Sequence, residues 1–308
     1  MKVVFVILHY LAIKDTIECV ESILNNIKTR THQIDIVIVD NGSPNQSYDV
    51  LITNFSQVQN IYVLKNEDNL GFAKGNNVGY KYAKYCLKAD FIVLLNNDTM
   101  IFQADFVDML VSKYVEKKYF VLGPDIVAAD GYHQNPGSKQ SWGLMELSLY
   151  RLKKRIRLFL SYLHLDNVTS SIIERTKEVY RAETMVGDVE NTILHGACLI
   201  FSPLYVKRFE GLHDETFLYM EEDILKLYAD FYGFLMLYSD ALQIFHKEDA
   251  ATNMVSLNSN EKIRLKYKRL IESSKIYSKL KRNVLVKKKI IGSMEYAAVK
   301  NGSGEANN

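Results

Sequence analysis

A regular alternation of short β-branched runs with amphipathic segments restricts a fold more tightly than any other feature of this chain, and the first hundred residues show it. Residues 3–8, 34–39, 61–64 and 91–95 are apolar runs of strand length. Between the first two, Ile17, Val20, Ile23, Leu24 and Ile27 recur at helical spacing, and the segments from Ser47 and from Asn76 read the same way. Units of this kind build an α/β fold, with a mixed, mainly parallel central sheet flanked by helices.

Composition narrows the class further. A chain of 308 residues with 48% hydrophobic and 24% charged positions is globular, which excludes a disordered or collagen-like polymer. Its 38 Lys and Arg against 36 Asp and Glu leave a formal charge of +2, so nucleic acid is not an expected partner. Three scattered cysteines form neither a disulfide framework nor a zinc site, and a reducing, cytoplasmic compartment is the expectation. The apolar run at 3–8 is far shorter than the ~18 residues of a membrane span.

In open α/β sheets, ligands collect at the carboxyl ends of the strands. The residues there are polar: Asp40-Asn41-Gly42-Ser43 after the second run, 66–77 after the third, and Asn96-Asn97-Asp98 after the fourth. Each has two readings. Asp98 is a carboxylate suited to a hard divalent cation or an ordinary turn residue, and Asp40 is a hydrogen-bond acceptor for a base or ribose or the head of an Asx turn. Gly71, Gly75 and Gly79 let backbone approach a ligand, although the dinucleotide fingerprint is missing.

From about residue 136 the alternation stops, and 151–160 forms a basic amphipathic patch that reads as a membrane contact or a lid. Strand character returns at 193–201 and 234–245. Between them Glu221-Glu222-Asp223 follows the aromatic lead Phe217-Leu218-Tyr219-Met220. Mutual repulsion raises at least one carboxyl pKa in such a cluster, which suits a general base; a solvated helix start is the alternative. His246 closes an apolar run and can supply an imidazole to a metal or serve structurally.

Together these motifs, in this order, resemble a family 2 glycosyltransferase of the GT-A fold, in particular its rhamnosyltransferase-like branch of bacterial surface-polysaccharide synthesis. The likeness runs from Lys2 to about Thr252 and is carried by 39–43, 69–79, 94–99, 196–200, 214–223 and 238–247. It implies a GT-A domain over 1–252, divided into a nucleotide-sugar half (about 1–123), a variable insert (about 124–190) and an acceptor half (about 191–252). A basic helical extension (253–300) and a disordered tail (301–308) follow.

The resemblance also implies roles. Asp40, Asn41, Gly71, Lys74, Asn76, Asn97 and Asp98 would bind a nucleotide-diphosphate sugar, and Asp98 and His246 would hold Mg²⁺ or Mn²⁺. Glu221, Glu222 and Asp223 match the segment that supplies the base, with Glu222 in the position where relatives carry it. The first acid of the family's D-x-D pattern is Asn96 here, which leaves fewer protein charges on the metal. The implied reaction is a single inverting displacement onto a glycan or polyprenyl-linked glycan.

Residues 262–289 carry twelve Lys and Arg against Glu272 alone. Their apolar partners suit either a helix lying on an anionic membrane surface or one packed on the catalytic domain. Two other classes compete with a transferase. A non-catalytic sugar-nucleotide-binding subunit is disfavoured by the joint presence of Asp98, the acidic cluster and His246. A nucleotidyltransferase would carry a Gly-rich basic loop where this chain has Leu8-His9-Tyr10-Leu11.

Overall fold

The computed structural model describes residues 1–163, 185–248 and 259–302, with side chains through 287. The boundary expected at 252 and residues 303–308 of the expected tail lie outside the described residues, as does the part of the insert from 164 to 184.

The first four strands are β1 (Lys2–His9), β2 (Gln33–Asn41), β3 (Ile61–Asn66) and β4 (Phe91–Asn96), each reaching a residue or more beyond its apolar run. They pair in parallel in the order β3-β2-β1-β4. Helices α1 (Ile13–Asn26), α2 (Ser47–Phe55) and α3 (Phe72–Tyr85) make the crossovers. Alternate side chains of β1 supply the two faces: Val3, Phe5 and Ile7 enter one apolar core, Val4 and Val6 the other.

The second half completes the sheet in mixed fashion. Strands β5 (Thr99–Met100), β6 (Val121–Ala128), β7 (Val189–Glu190), β8 (Cys198–Phe201) and β9 (Met236–His246) extend it to β3-β2-β1-β4-β8-β6-β9-β5, with β7 off this path and paired to β9. β8 runs antiparallel to β4 and β6, whereas β6 and β9 are parallel. Helices α4 (Phe106–Lys117), α5 (Leu144–Tyr162), α6 (Pro203–Arg208), α7 (Glu221–Tyr232) and α8 (Ser259–Gly302) complete the described elements.

Three differences from the sequence reading have physical causes. β6 is a strand that the sequence did not signal, because Gly123 and Pro124 look like a turn yet sit beside a register shift, between Pro124 and Asp125, in the β6–β9 pairing. A proline is tolerated inside a sheet at such an irregularity. α3 starts at Phe72 rather than Asn76, so the Gly-Asn loop is the first turn of a helix capped by Gly71 at φ 82°. Only Cys198–Phe201 of the 193–201 run is a strand.

The basic C-terminal helix takes the packed alternative. Leu270, Ile271, Tyr277, Leu280 and Val284 are buried, the last three in a cluster with Leu147 of α5 and Met220, Ile224 and Leu227 of the α7 region. Arg151 of α5 donates to the Ser274 carbonyl at 3.0 Å and to Ser278 Oγ at 2.5 Å. The part of its apolar face formed by Leu270, Ile271, Tyr277, Leu280 and Val284 therefore contacts protein, while Leu265 stays exposed. No helix among the described residues is long and apolar enough to cross a membrane.

Candidate active site

Parallel pairing aligns the strand ends. The register sets His9 beside Asp40 and Leu8 beside Asn96, so the polar residues after β1, β2 and β4 share one sheet edge. Asp40 is fully buried; its Oδ1 accepts from the Ser43 amide at 3.2 Å, and its Oδ2 has no partner among the described residues. His9 is equally buried. Its Nδ1 lies 2.7 Å from Thr16 Oγ1, and its Nε2 is unpartnered among the described residues. Burial pushes the His9 pKa down to about 4 against the pull of the Asp40 charge, so the imidazole is neutral at pH 7. Two orphaned buried polar atoms at one strand edge ask for a polar ligand.

Asn41 and Asn97 are engaged differently. Asn41 Nδ2 donates to Asn69 Oδ1 at 3.1 Å and to the Gly71 carbonyl at 3.2 Å. Its Oδ1 accepts from Asn66 at 3.0 Å and from the Leu70 amide at 3.2 Å. It is the hub that ties the 66–71 loop to β2. Asn97 Nδ2 donates to Thr16 Oγ1 at 2.9 Å, locking the end of β4 to α1. Asn76 donates to the Phe72 carbonyl at 3.1 Å and leaves a buried Oδ1 unpartnered, while Lys74 is exposed.

The other half of the site assembles around β9. His246 Nε2 faces Asp98 Oδ1 at 3.2 Å, and its Nδ1 lies 2.7 Å from Gln134 Oε1. An amide oxygen only accepts, so Nδ1 carries a hydrogen, and Nε2 lies within hydrogen-bond distance of the Asp98 carboxylate. One carboxylate and one imidazole side by side form a donor pair suited to Mn²⁺ or Mg²⁺, with further positions left for diphosphate oxygens and water. Among the described residues no group of three or more His, Cys, Asp or Glu forms a cage.

The acidic cluster opens α7. Tyr219 and Met220 precede it at φ 76° and 69°, two left-handed non-glycine residues in succession, a strain of about 1–3 kcal/mol each that the surroundings must hold. Glu222 Oε1 accepts from the Gly196 amide at 3.1 Å, and Asp223 Oδ1 from Trp142 Nε1 at 2.9 Å. Burial, with the Glu222 charge second, raises Glu221 to about 7 and Asp223 to about 6. Burial also raises Glu222, against the backbone hydrogen bonds it accepts.

One short segment joins the two groups. The His195 ring lies against the His246 ring at 5.8 Å between centroids, and the next residue, Gly196, donates to Glu222. At the cluster's other side Gly71 packs so tightly on Phe217 that a Cβ would stand 2.3 Å from its carbonyl oxygen. The Phe72 amide donates to that same oxygen at 2.8 Å.

The Glycosyl transferase family 2 profile matches residues 4–177, more than half of the chain. The chain belongs to glycosyl transferase family 2. The match spans β1 to β6, including the Asp40 edge, the Gly-Asn loop and Asp98. No curated protein matches in sequence.

Solved structures share the GT-A fold of this family 2 chain. The S. aureus TarS fragment 1–349 superposes with a TM-score of 0.51 at 14% identity, covering 89% of this chain and 72% of that one. The same fragment in complex with UDP-GlcNAc gives 0.52 at 15%, covering 89% and 66%. GalNAc-T7 with UDP, GalNAc and Mn²⁺ gives 0.54 at 11%, covering 85% and 49%. At these identities the likeness speaks for the fold alone.

Residues without a role in the sequence reading also sit at the site: His9, Gln134, Trp142, His195 and Gly196, the last within a motif that carries the resemblance. His9 was within reach, because it ends β1 where that strand pairs with Asp40 of β2. Gln134 and Trp142 carry no local signal, since only the folded chain brings them to His246 and Asp223.

Proposed function

We propose that this family 2 glycosyltransferase moves a sugar from a nucleotide-diphosphate donor to a glycan or polyprenyl-linked glycan acceptor, with inversion at the anomeric carbon. The observation that carries the reading is the His195-Gly196 link, which sets the Asp98–His246 pair and the Glu222 carboxylate in one site. A cation donor pair beside a carboxylate of raised pKa is the equipment that displacement of a diphosphate by a hydroxyl requires.

Asp40 and His9 line the end of the nucleotide cleft with unpartnered polar atoms suited to a base or ribose. Asp98 and His246 would hold Mg²⁺ or Mn²⁺, which, when bound, offsets charge on the departing diphosphate. Glu222, steadied by the Gly196 amide, takes the proton of the acceptor hydroxyl as that oxygen attacks. The raised pKa makes the carboxylate a stronger base than an ordinary glutamate. The order of the Asn96-Asn97-Asp98 and acidic motifs supports the rhamnosyltransferase-like branch, and with it a role in surface-polysaccharide synthesis.

A donor screen tests this. Thermal stabilisation by one class of nucleotide sugar, dependent on Mn²⁺ or Mg²⁺ and absent in Asp98→Ala, is the expected result. Folded protein that no nucleotide sugar stabilises would point instead to a non-catalytic assembly subunit.

A further inference from the structure

The helix α5 carries two apolar faces, and only one is packed. Leu147 is buried against α7 and α8. Arg151 bonds to Ser274 and Ser278 on that same side, and Lys154 lies over the Tyr267 ring. Opposite them, Met145, Leu149, Leu152, Ile156, Phe159 and Leu163 are all at least half exposed. Their spacing of four, three, four, three and four residues confines them to an arc of about 80° over ~27 Å of helix.

The charges around this stripe decide what can cover it. Between residues 144 and 162 the helix has Arg151, Lys153, Lys154, Arg155 and Arg157 against Glu146 alone, and Lys153 and Arg155 flank the stripe on opposite sides. Among the described residues Lys153, Lys154, Arg155 and Arg157 make no ion pair with a carboxylate. The crowding is felt locally: burial first, then Arg157 and Lys266, depress Lys154, and burial, Arg155 and Arg282 depress Arg151. The same spacing could seat a helix from a second copy, but that copy would bring like charges to both flanks.

We infer that the exposed face of α5 docks on an anionic lipid bilayer, with the six apolar side chains entering the headgroup boundary and Lys153 and Arg155 reaching lipid phosphates from either side. A helix of this length and charge lies in the interface and does not cross it. The packed face of α8 leaves this role to α5, a different element from the one the basic C-terminal run suggests. α5 begins two residues after Trp142, the partner of Asp223, so a bilayer under the stripe runs along the helix that starts at the acidic cluster. The inference stands on the surface of α5 and does not depend on the transferase reading.

Flotation of the full chain with vesicles of neutral phosphatidylcholine, or of that lipid with ~30% phosphatidylglycerol, tests it. The expected result is at least about tenfold stronger partition onto the anionic vesicles, falling as salt is raised from ~0.1 to ~0.5 M. A triple variant, Leu152→Ser, Ile156→Ser and Phe159→Ser, should lose at least about tenfold in partition with an unchanged circular dichroism spectrum. Because these positions are exposed the fold should survive, and Lys153→Glu with Arg155→Glu offers a second test that leaves the stripe intact and should abolish the anionic preference. Folded wild type that floats with neither vesicle, or a triple variant that floats like wild type, overturns the inference. So does a wild-type dimer that sedimentation velocity shows the triple variant to break, which would assign the stripe to a second copy.

Discussion

The backbone amide of Gly196 donates to Oε1 of Glu222 at 3.1 Å, and a Cβ built on Gly196 would stand 2.5 Å from that same oxygen. The carboxylate is thus held against bare backbone, and any side chain at 196 must push it away. Gly196→Ala should cost about 1–3 kcal/mol of stability by overpacking, and it should lower kcat more than donor KM. Denaturant unfolding together with steady-state kinetics checks both; an alanine variant with wild-type kcat would remove Glu222 from the reaction.

The three neighbouring acids separate by substitution. Glu222→Gln should lower kcat by about 10²–10⁴-fold while nucleotide binding persists, the cost of losing a general base. Asp223→Asn keeps an acceptor for the Trp142 indole and should cost about tenfold or less. Single-turnover kinetics on these two variants and Glu221→Gln identifies the base; a larger loss in Asp223→Asn than in Glu222→Gln would transfer the role.

Glu221 predicts a pH signature. Its folded pKa of about 7 lies above the ordinary 4.5, so the folded state holds a proton that the unfolded chain has released. Stability contributed by this group is therefore greatest below pH 4.5 and declines as pH rises toward 7, by a few kcal/mol in total. Glu221→Gln should remove that decline, raising Tm relative to wild type at pH 7.5 and little at pH 4.5. Thermal melts across this range decide it, and parallel curves for the two proteins would contradict the assignment.

At the metal pair, Gln134 is a positioning residue: its carbonyl oxygen fixes the His246 proton on Nδ1. Gln134→Ala should weaken Mn²⁺ binding by about 10–100-fold, as is typical when a ligand histidine loses its outer partner. Loss of the Mn²⁺ electron paramagnetic resonance signal in a titration measures it. Equal Mn²⁺ affinity in wild type, Gln134→Ala and Asp98→Ala would rule this pair out as the site.

Asn41 serves four hydrogen bonds from a single side chain, three of them to the 69–71 segment that precedes α3. Asn41→Ala should cost about 2–4 kcal/mol because buried partners are left unsatisfied, and amide exchange of residues 66–71 should rise with it. An unchanged exchange rate would show that the loop is held by other contacts.

The parallel core was legible because β1, β2 and β4 are buried on both faces and must be continuously apolar, and because helices covering them must repeat every three or four residues. Asp40, Asp98 and the Glu221–Asp223 cluster were legible as candidates only: carboxylates at strand ends fall where ligands collect in an α/β sheet, yet the same residues also suit turns and helix starts. β6 escaped because Gly123 and Pro124 carry a turn signature that only pairing with β9 overrides. Which face of the basic helix α8 is packed was equally out of reach, since charge along a chain does not say what lies opposite it.

What the amino-acid order determined by itself was local: where strands and helices form, and which strand ends bear carboxylates. The tertiary structure decided the encounters between distant segments, Asp98 with His246, Gly196 with Glu222, and α5 with α8. The physical reason is range. Burial and backbone periodicity act over a few neighbouring residues, whereas a hydrogen bond or ion pair needs atoms brought within about 3 Å, and only the packed sheet brings residues so far apart in sequence that close.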